Sequence, residues 1–161
     1  MEEAPEIPRS VALAFVLFAA GLVINYAVVV AGDLPNLGPG QGETRSHALQ
    51  MFVVAHLTVV PLFTSPVWLP QVLCLWPTYL GKNWARYILP FTIVPVWYFF
   101  LGPEAIQAAF DTESSDHVAR AWTFWARAGA ALSQLSALII LWAPTSSRFF
   151  VTSTSYRREA G

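Results

Sequence analysis

Charged side chains are scarce in this chain: Asp, Glu, Lys and Arg make up 12% of its 161 residues, whereas hydrophobic residues make up 55%. A soluble globular domain carries about 25% charged residues, and a domain of this size cannot hide so much apolar surface in its own core. The surplus apolar surface is therefore expected to face a lipid bilayer. The formal net charge of −1 provides no positive field, so no nucleic-acid partner is expected.

Cysteine and histidine are also rare. The single cysteine, Cys74, excludes an intrachain disulfide and any site built from several cysteines. Its apolar surroundings predict a buried, inert thiol, because a reactive thiol needs an electropositive and accessible setting. Among the three histidines, neither His-Glu-x-x-His nor Glu-x-x-His spacing occurs. We therefore expect no metal site and no cofactor.

Carboxylates are missing from the long apolar runs, which leaves few candidates for acid–base catalysis. Asp116 and His117 form one neighbouring pair, but Asp116 also suits a solvated helix start, which is the favoured interpretation. No Gly-x-Ser-x-Gly motif indicates a serine hydrolase. The spaced glycines of 35–42 follow an apolar run rather than a strand, which argues against a phosphate-binding loop. No catalytic residue is predicted.

Long apolar runs are what the chain has in abundance. The predicted spans are 11–31, a bent crossing within 48–80, 84–101 and 121–143. Each can cross a hydrocarbon core of about 30 Å at a rise of about 1.5 Å per residue. The first run is too long for the apolar region of a signal peptide, so it is predicted to be retained. The sequence thus predicts an all-α integral membrane bundle of four transmembrane helices, one polytopic domain over 1–161.

Prolines interrupt the second and third spans, which are therefore predicted to be kinked, since proline removes a backbone donor. The run 48–80 is too long for one straight crossing, and a short interfacial or re-entrant piece is expected at one end. The tail from residue 145 is polar and is predicted to fray at its end. The prolines concerned are Pro61, Pro66, Pro70 and Pro77 in the second span, and Pro90 and Pro95 in the third.

The placement of Lys and Arg predicts the orientation. Four crossings put both termini and the turn between the second and third spans on one side of the membrane. Because cytoplasmic loops are enriched in Lys and Arg, both termini of this multi-pass plasma-membrane protein are predicted to be cytoplasmic. The cytoplasmic side would hold Arg9, Lys82, Arg86, Arg148, Arg157 and Arg158, and the outer side Arg45, Arg120 and Arg127.

Aromatic residues accompany the cations at the ends of the spans. Tryptophan and tyrosine concentrate where lipid meets water, so the polar stretch 80–87 is predicted to be a turn that anchors two helices rather than a binding site. The predicted interfacial anchors are Lys82, Trp84, Arg86 and Tyr87 in that turn, and Trp122 and Trp125 at the other membrane surface.

Four polar residues fall inside the apolar runs, where each is costly and hence a functional hypothesis. They are Asn25, His56, Arg127 and Gln134. One interpretation is a pocket, open to the outside, for a polar or anionic headgroup. In the favoured interpretation Arg127 reaches the outer surface, while Asn25 and Gln134 hydrogen-bond across helices, at under about 1 kcal/mol each.

Small residues recur at every fourth position of the last span. Gly129, Ser133 and Ala137 are predicted to form a helix-packing ridge, because small side chains permit close approach of two backbones. The ridge could pack against the first helix or against a partner chain. Packing within the bundle is the default.

Three short motifs carry a resemblance to a known class of proteins. They are Pro-Arg-Ser-Val at 8–11, Gly-Lys-Asn-Trp-Ala-Arg at 81–86 and Ser-Ser-Arg-Phe-Phe at 146–150. Together they resemble uncharacterised small four-helix bacterial inner-membrane proteins that carry a G-x-x-W-A-R turn and an aromatic pair after the last helix. The resemblance implies a four-helix fold in the bacterial inner membrane and no particular activity.

The leading functional hypothesis is a non-enzymatic accessory or interaction protein, for which an immunity-type protein would be one example. It would contact a membrane or extracytoplasmic protein partner, or further copies of itself, within the lipid bilayer. One alternative is a transporter or channel-like oligomer that handles a small solute or a lipid. The other is a membrane enzyme acting on a lipid-like substrate.

Overall fold

A computed structural model describes residues 6–33, 44–110 and 117–160 of the chain. Within this part the structure is almost entirely helical and contains no strand, so the all-α prediction is confirmed. A π-helical turn, Ala55–Val59, joins the second and third helices. The α-helices are α1 (Arg9–Asp33), α2 (Arg45–Val54), α3 (Val60–Tyr79), α4 (Asn83–Leu101), α5 (Pro103–Phe110), α6 (His117–Trp142) and α7 (Pro144–Ala160).

The antiparallel pairing of α1 with α6 is the most extensive helix contact in the described structure. Both helices bury residues at alternating intervals of three and four, which is the seam spacing of a coiled coil. This spacing keeps one narrow face of each helix against its partner over many turns. The seam consists of Val11, Ala14, Phe18, Gly21, Asn25 and Val28 on α1, and of Ala130, Gln134, Ala137 and Leu141 on α6.

Gly21 is the point where the two backbones come closest. A Cβ atom built on Gly21 would lie 2.7 Å from Cγ of Gln134 and 2.8 Å from the carbonyl oxygen of Ala130. One turn away, the Ser133 hydroxyl donates a hydrogen bond of 2.7 Å to the carbonyl oxygen of Leu17. Small residues at an interface allow such approach, and a hydroxyl then ties the two helices together.

The predicted ridge of Gly129, Ser133 and Ala137 does not lie on one packed face. Ala137 is buried and Ser133 contacts α1, but Gly129 is exposed, and a Cβ atom built on it would meet nothing within 4 Å. The reason is geometric: four residues turn an α-helix by about 400°, so a strict four-residue repeat drifts by about 40° per step. Gly129 therefore lies outside the α1–α6 seam, and that part of the prediction is wrong.

Helices α3 and α4 complete the core with the same alternating spacing. The buried residues of α3 include Gln71, Cys74, Leu75 and Thr78, and those of α4 include Leu89, Ile93 and Val96. Cys74 is buried, as its apolar surroundings predict. Helix α4 runs through Pro90 and Pro95 without a break.

The predicted second span is a continuous helical path with no re-entrant piece. It begins before the predicted limit, at Arg45, and passes through the π-helical turn into α3. A π turn adds a residue to the helix and disturbs the regular hydrogen-bond ladder. Here the carbonyl oxygen of His56 accepts a hydrogen bond from the Tyr26 hydroxyl of α1, which attaches the turn to the bundle. Helix α2 has no buried residue.

The polar tail is a helix rather than a frayed segment. Helix α7 buries Ser146, Phe149, Phe150 and Ser153, again at intervals of three and four. Serine and threonine lowered the apparent hydrophobicity of this segment and obscured its buried face. Two of the buried residues, Phe149 and Phe150, belong to the same core cluster as Val11 and Phe18 of α1.

Two helical segments of the described chain, Arg9–Ala31 and Arg120–Trp142, are long and apolar enough to cross a membrane. This is a test of length and composition, which the core helix of a soluble protein or a signal sequence also passes. Only 28% of each apolar window is buried inside the protein. Most of both helices therefore presents apolar side chains outward, which is not the pattern of a soluble core helix.

Enlarging Gly21 should destabilise the bundle, because its surroundings include backbone that cannot move aside. We expect Gly21→Ala to lower the free energy of unfolding by about 1–3 kcal/mol through overpacking. Denaturant titration of the purified protein in detergent micelles, followed by circular dichroism, measures the change. Gly129→Ala is the matched control and should be neutral or slightly stabilising, because its Cβ meets open space. Equal destabilisation by both substitutions would contradict the close α1–α6 contact.

Candidate functional site

A chain of hydrogen bonds crosses the centre of the helix bundle. The Gln134 side-chain oxygen accepts a bond of 3.0 Å from Nε1 of Trp97, and its amide nitrogen donates to the Gln71 oxygen at 3.3 Å. The Gln71 amide nitrogen donates in turn to the carbonyl oxygen of Thr92 at 3.4 Å. We call Gln71, Thr92, Trp97 and Gln134 the polar relay. It connects α3, α4 and α6.

Both glutamines of the polar relay are 0% exposed. Gln134 occupies a seam position of α6 and packs against Gly21, whose missing side chain leaves room for it. A buried amide must be hydrogen-bonded, because no water replaces a lost partner. Each glutamine therefore constrains the other's helix, and the relay specifies how α3, α4 and α6 are rotated relative to one another.

Gln71 and Trp97 were not among the predicted site residues. Gln71 carried the same signal as Asn25, a polar residue inside an apolar run, but it was obscured by the surrounding prolines of the second span. Trp97 was read only as one of several aromatic residues near the end of a span. Its Nε1–H is a donor that needs a partner when the ring is enclosed, which is what Gln134 provides.

The other three predicted pocket residues lie nearer one end of the bundle. Asn25 is buried at the α1–α6 seam, one turn beyond Gly21, and Arg127 is half-buried on α6. His56 is buried in the π-helical turn, where its Nδ1 lies 3.0 Å from the carbonyl oxygen of Phe52 and its ring stacks on that phenylalanine. Gln134 is engaged in the polar relay.

A depression of about 450 Å³ lies near the junction of α4 and α5. Tyr98, Gly102, Pro103, Glu104 and Ala105 line it. The short helix α5 is held beside it by Ala109, which is buried, and by Phe110, which packs edge-on against two aromatic rings of α6.

The opposite end of the bundle is built around Arg86. Its side chain is buried, its Nη1 donates to the Ser147 hydroxyl at 3.2 Å, and its guanidinium carbon lies over three aromatic rings. The distances to the ring centroids are 4.7 Å for Trp142, 4.8 Å for Phe150 and 5.3 Å for Tyr87. Cation–π contacts of this kind partly compensate a guanidinium for lost hydration.

The three motif segments identified in the sequence meet at this end. Ser146 donates to Ser10 at 3.0 Å, which ties the start of α7 to the start of α1. Gly81 has a φ of 73° and sits against Phe149 and Ser153, where a Cβ atom would come within 3.0 Å of both. We call this region, with Arg9, Lys82, Arg86 and Arg148, the basic end of the bundle.

The predicted interfacial anchors differ in their exposure. Lys82, Trp84 and Tyr87 are exposed at the basic end, whereas Arg86 is inserted between α4, α6 and α7. Trp122 and Trp125 are exposed near the start of α6. Arg86 therefore has a packing role in addition to marking one end of a helix.

Some predicted features fall outside the described residues. These are the glycine-containing segment 35–42 and Asp116, together with the side chain of His117. Within residues 6–33, 44–110 and 117–160, no three His, Cys, Asp or Glu side chains come together at metal-binding distance. No family model, curated protein or solved structure matches the chain.

Removing one member of the polar relay should cost more than removing two. We expect Gln134→Leu to lower the free energy of unfolding by about 1–2 kcal/mol, because it leaves polar groups of Gln71 and Trp97 unpaired in the core. Adding Gln71→Leu should cost less than the sum of the single changes, since the second substitution removes an unpaired amide. Unfolding titrations of the wild type, both single variants and the double variant in micelles form the test. Additivity within about 0.3 kcal/mol would contradict the relay.

Proposed function

We propose that this chain is a multi-pass protein of the bacterial inner membrane that acts as a non-enzymatic accessory or interaction protein. Its four crossings would be α1, the path from the π-helical turn through α3, α4, and α6. Helix α4, with 19 residues, reaches about 28 Å at about 1.5 Å per residue, close to the thickness of the hydrocarbon core. Helices α5 and α7 would lie at opposite membrane surfaces.

The observation that carries the proposal is the contrast between a satisfied interior and an unpaired apolar exterior. The glutamines of the polar relay bond to other helices of the same chain. By contrast, one outward face of α6 repeats the three-and-four spacing of a packing seam although no described helix covers it. This α6 outer face consists of Trp125, Gly129, Leu132, Ser136 and Ile139. A small residue with open space at its centre suits the approach of another transmembrane helix.

Orientation with both termini in the cytoplasm is supported by the shared position of three segments. The starts of α1 and α7 are hydrogen-bonded to each other, and the α3–α4 turn packs on α7. The basic end therefore collects cations from three separate parts of the chain. Cytoplasmic loops are enriched in Lys and Arg, so this end is assigned to the cytoplasm.

The two alternative functions have less support. A transport path along the bundle axis would need free polar groups there, but Gln134 is occupied by Trp97 and Gln71. A membrane enzyme would depend on the Asp116–His117 pair, which the described geometry does not support with any further residue.

Labelling of single cysteines tests the orientation. In a Cys74→Ala background, Glu104→Cys should react with a membrane-impermeant maleimide added to intact spheroplasts. Lys82→Cys should react only after permeabilisation, because it lies at the opposite, cytoplasmic end. Both positions are exposed in the structure, so accessibility differs only through the membrane. Labelling of Lys82→Cys first, or of both positions from outside, would contradict the proposed topology.

Cross-linking from α6 tests the interaction. A photoreactive amino acid placed at Leu132 should give a discrete protein adduct in native membranes, and Gly129→Leu should reduce that adduct by at least tenfold by closing the contact surface. Ala27→Leu is the matched control, since it enlarges a small exposed residue on α1 and should leave the adduct intact. Two differently tagged copies distinguish a second copy of the chain from another protein. Adducts to lipid alone would contradict an interaction through this face.

A further inference from the structure

Arg86 is a buried cation that no carboxylate of the described structure balances. Its side chain is 6% exposed. Among the described residues the Ser147 hydroxyl is its hydrogen-bond acceptor, and its Nε atom is buried with no acceptor at all. A guanidinium has five N–H donors, and burial of an unpaired charge is costly. The three aromatic rings around it offset part of that cost and provide no anion.

Two further unpartnered polar atoms lie at the same contact between α4 and α7. The side-chain oxygen of Asn83 and the hydroxyl of Ser153 are both buried without a hydrogen-bond partner. Buried polar groups are nearly always paired in folded proteins. Three such atoms at one junction indicate a missing partner that accepts from Arg86 and Ser153 and also donates to Asn83.

The surroundings of Arg86 place it at the depth of lipid headgroups. Trp84, Tyr87 and Trp142 are each about half exposed and form an aromatic rim around it, and such residues concentrate where lipid meets water. Tyr87 and Trp142 also cover the guanidinium, so rotation of these outer rings would open a path to it. The exposed Lys82 and Arg148 would draw negatively charged lipid to this end.

We propose that Arg86 is the core of a binding site for the phosphate group of an anionic, hydroxyl-bearing phospholipid. The phosphate oxygens accept from the guanidinium, whose planar fork matches a phosphate, and from Ser153. A headgroup hydroxyl donates to Asn83. The site rests on the membrane location proposed above. It assigns the basic end a specific lipid in addition to its role in orientation.

Native mass spectrometry of the full chain in detergent micelles tests this assignment. The wild type should retain phosphatidylglycerol and show at least tenfold weaker retention of phosphatidylcholine, which has the same phosphodiester but no net charge or headgroup hydroxyl. Arg86→Gln should weaken phosphatidylglycerol retention by on the order of tenfold, the loss expected for one charge-assisted pair. Arg148→Gln is the matched control, an exposed arginine at the same end, and should change retention less than twofold.

Further arms separate the remaining outcomes. If Arg86→Gln does not fold, Ser147→Ala decides, because it releases the guanidinium without removing the charge and should lower retention about threefold. Inorganic phosphate at millimolar concentration should not compete with the lipid; effective competition would show a soluble phosphate site instead. Equal losses in Arg86→Gln and Arg148→Gln would reduce the site to a diffuse basic surface and overturn the proposal.

Failure of this inference is distinguishable from failure of the membrane assignment. Extraction of cell membranes with alkaline carbonate should leave the protein in the pellet. If the protein is released, the membrane location itself is wrong. If it stays in the pellet while phosphatidylglycerol is not retained selectively, only the Arg86 site is rejected.

Discussion

The close contact between α1 and α6 is the constraint on which the rest of the structure depends. Gly21 allows the two backbones to approach, and the Ser133 hydroxyl bonds to the α1 backbone at that level. This approach places Gln134 deep in the bundle, where its amide reaches Trp97 of α4 and Gln71 of α3. Loss of the contact would remove both the packing and the geometry of the polar relay.

In lipid such a network has particular weight. Apolar side chains gain little by leaving lipid for one another, so close packing and buried hydrogen bonds must hold the helices together. The polar relay supplies directional contacts where dispersion alone would allow several rotations of each helix. A polar residue at a seam position is also a known means of fixing register between helices. The relay is therefore assigned to the architecture rather than to a reaction.

The two ends of the bundle are built differently. At the basic end, a packed joint of aromatic rings and serine hydroxyls encloses one arginine and joins three distant segments. At the other end, the helical path extends through a π turn into α2, which leaves its side chains outside the packed core. One end is thus suited to a fixed position at a membrane surface, and the other presents exposed surface.

The sequence was sufficient for the coarse architecture because composition and long apolar runs act over many residues at once. The all-α class follows from them, and Gln134 could be expected to bond across helices because an amide inside an apolar run has few other partners. Pairwise geometry was beyond reach. Nothing in the local pattern around Gln71 or Trp97 says that the two residues meet through Gln134, since they lie on different helices.

The errors have equally physical causes. Gly129 was grouped with Ser133 and Ala137 because a four-residue repeat was treated as one face, although it drifts around a helix of 3.6 residues per turn. Helix α7 was missed because hydroxyl side chains count as polar by composition, while Ser146 and Ser153 are buried in the structure. Arg86 was expected to mark a membrane surface, and its enclosure by rings from α4, α6 and α7 depends on contacts between distant parts of the chain.

Disulfide formation in native membranes tests the α1–α6 contact most directly. In a Cys74→Ala background, the pair Leu17→Cys and Ser133→Cys replaces two residues that are hydrogen-bonded across the two helices. Mild copper-catalysed oxidation should join them within one chain rapidly and in high yield. The pair Leu17→Cys and Leu132→Cys should stay reduced, because Leu132 is exposed on another face of α6. Failure of the first pair to cross-link, or equal cross-linking of the second, would contradict the account.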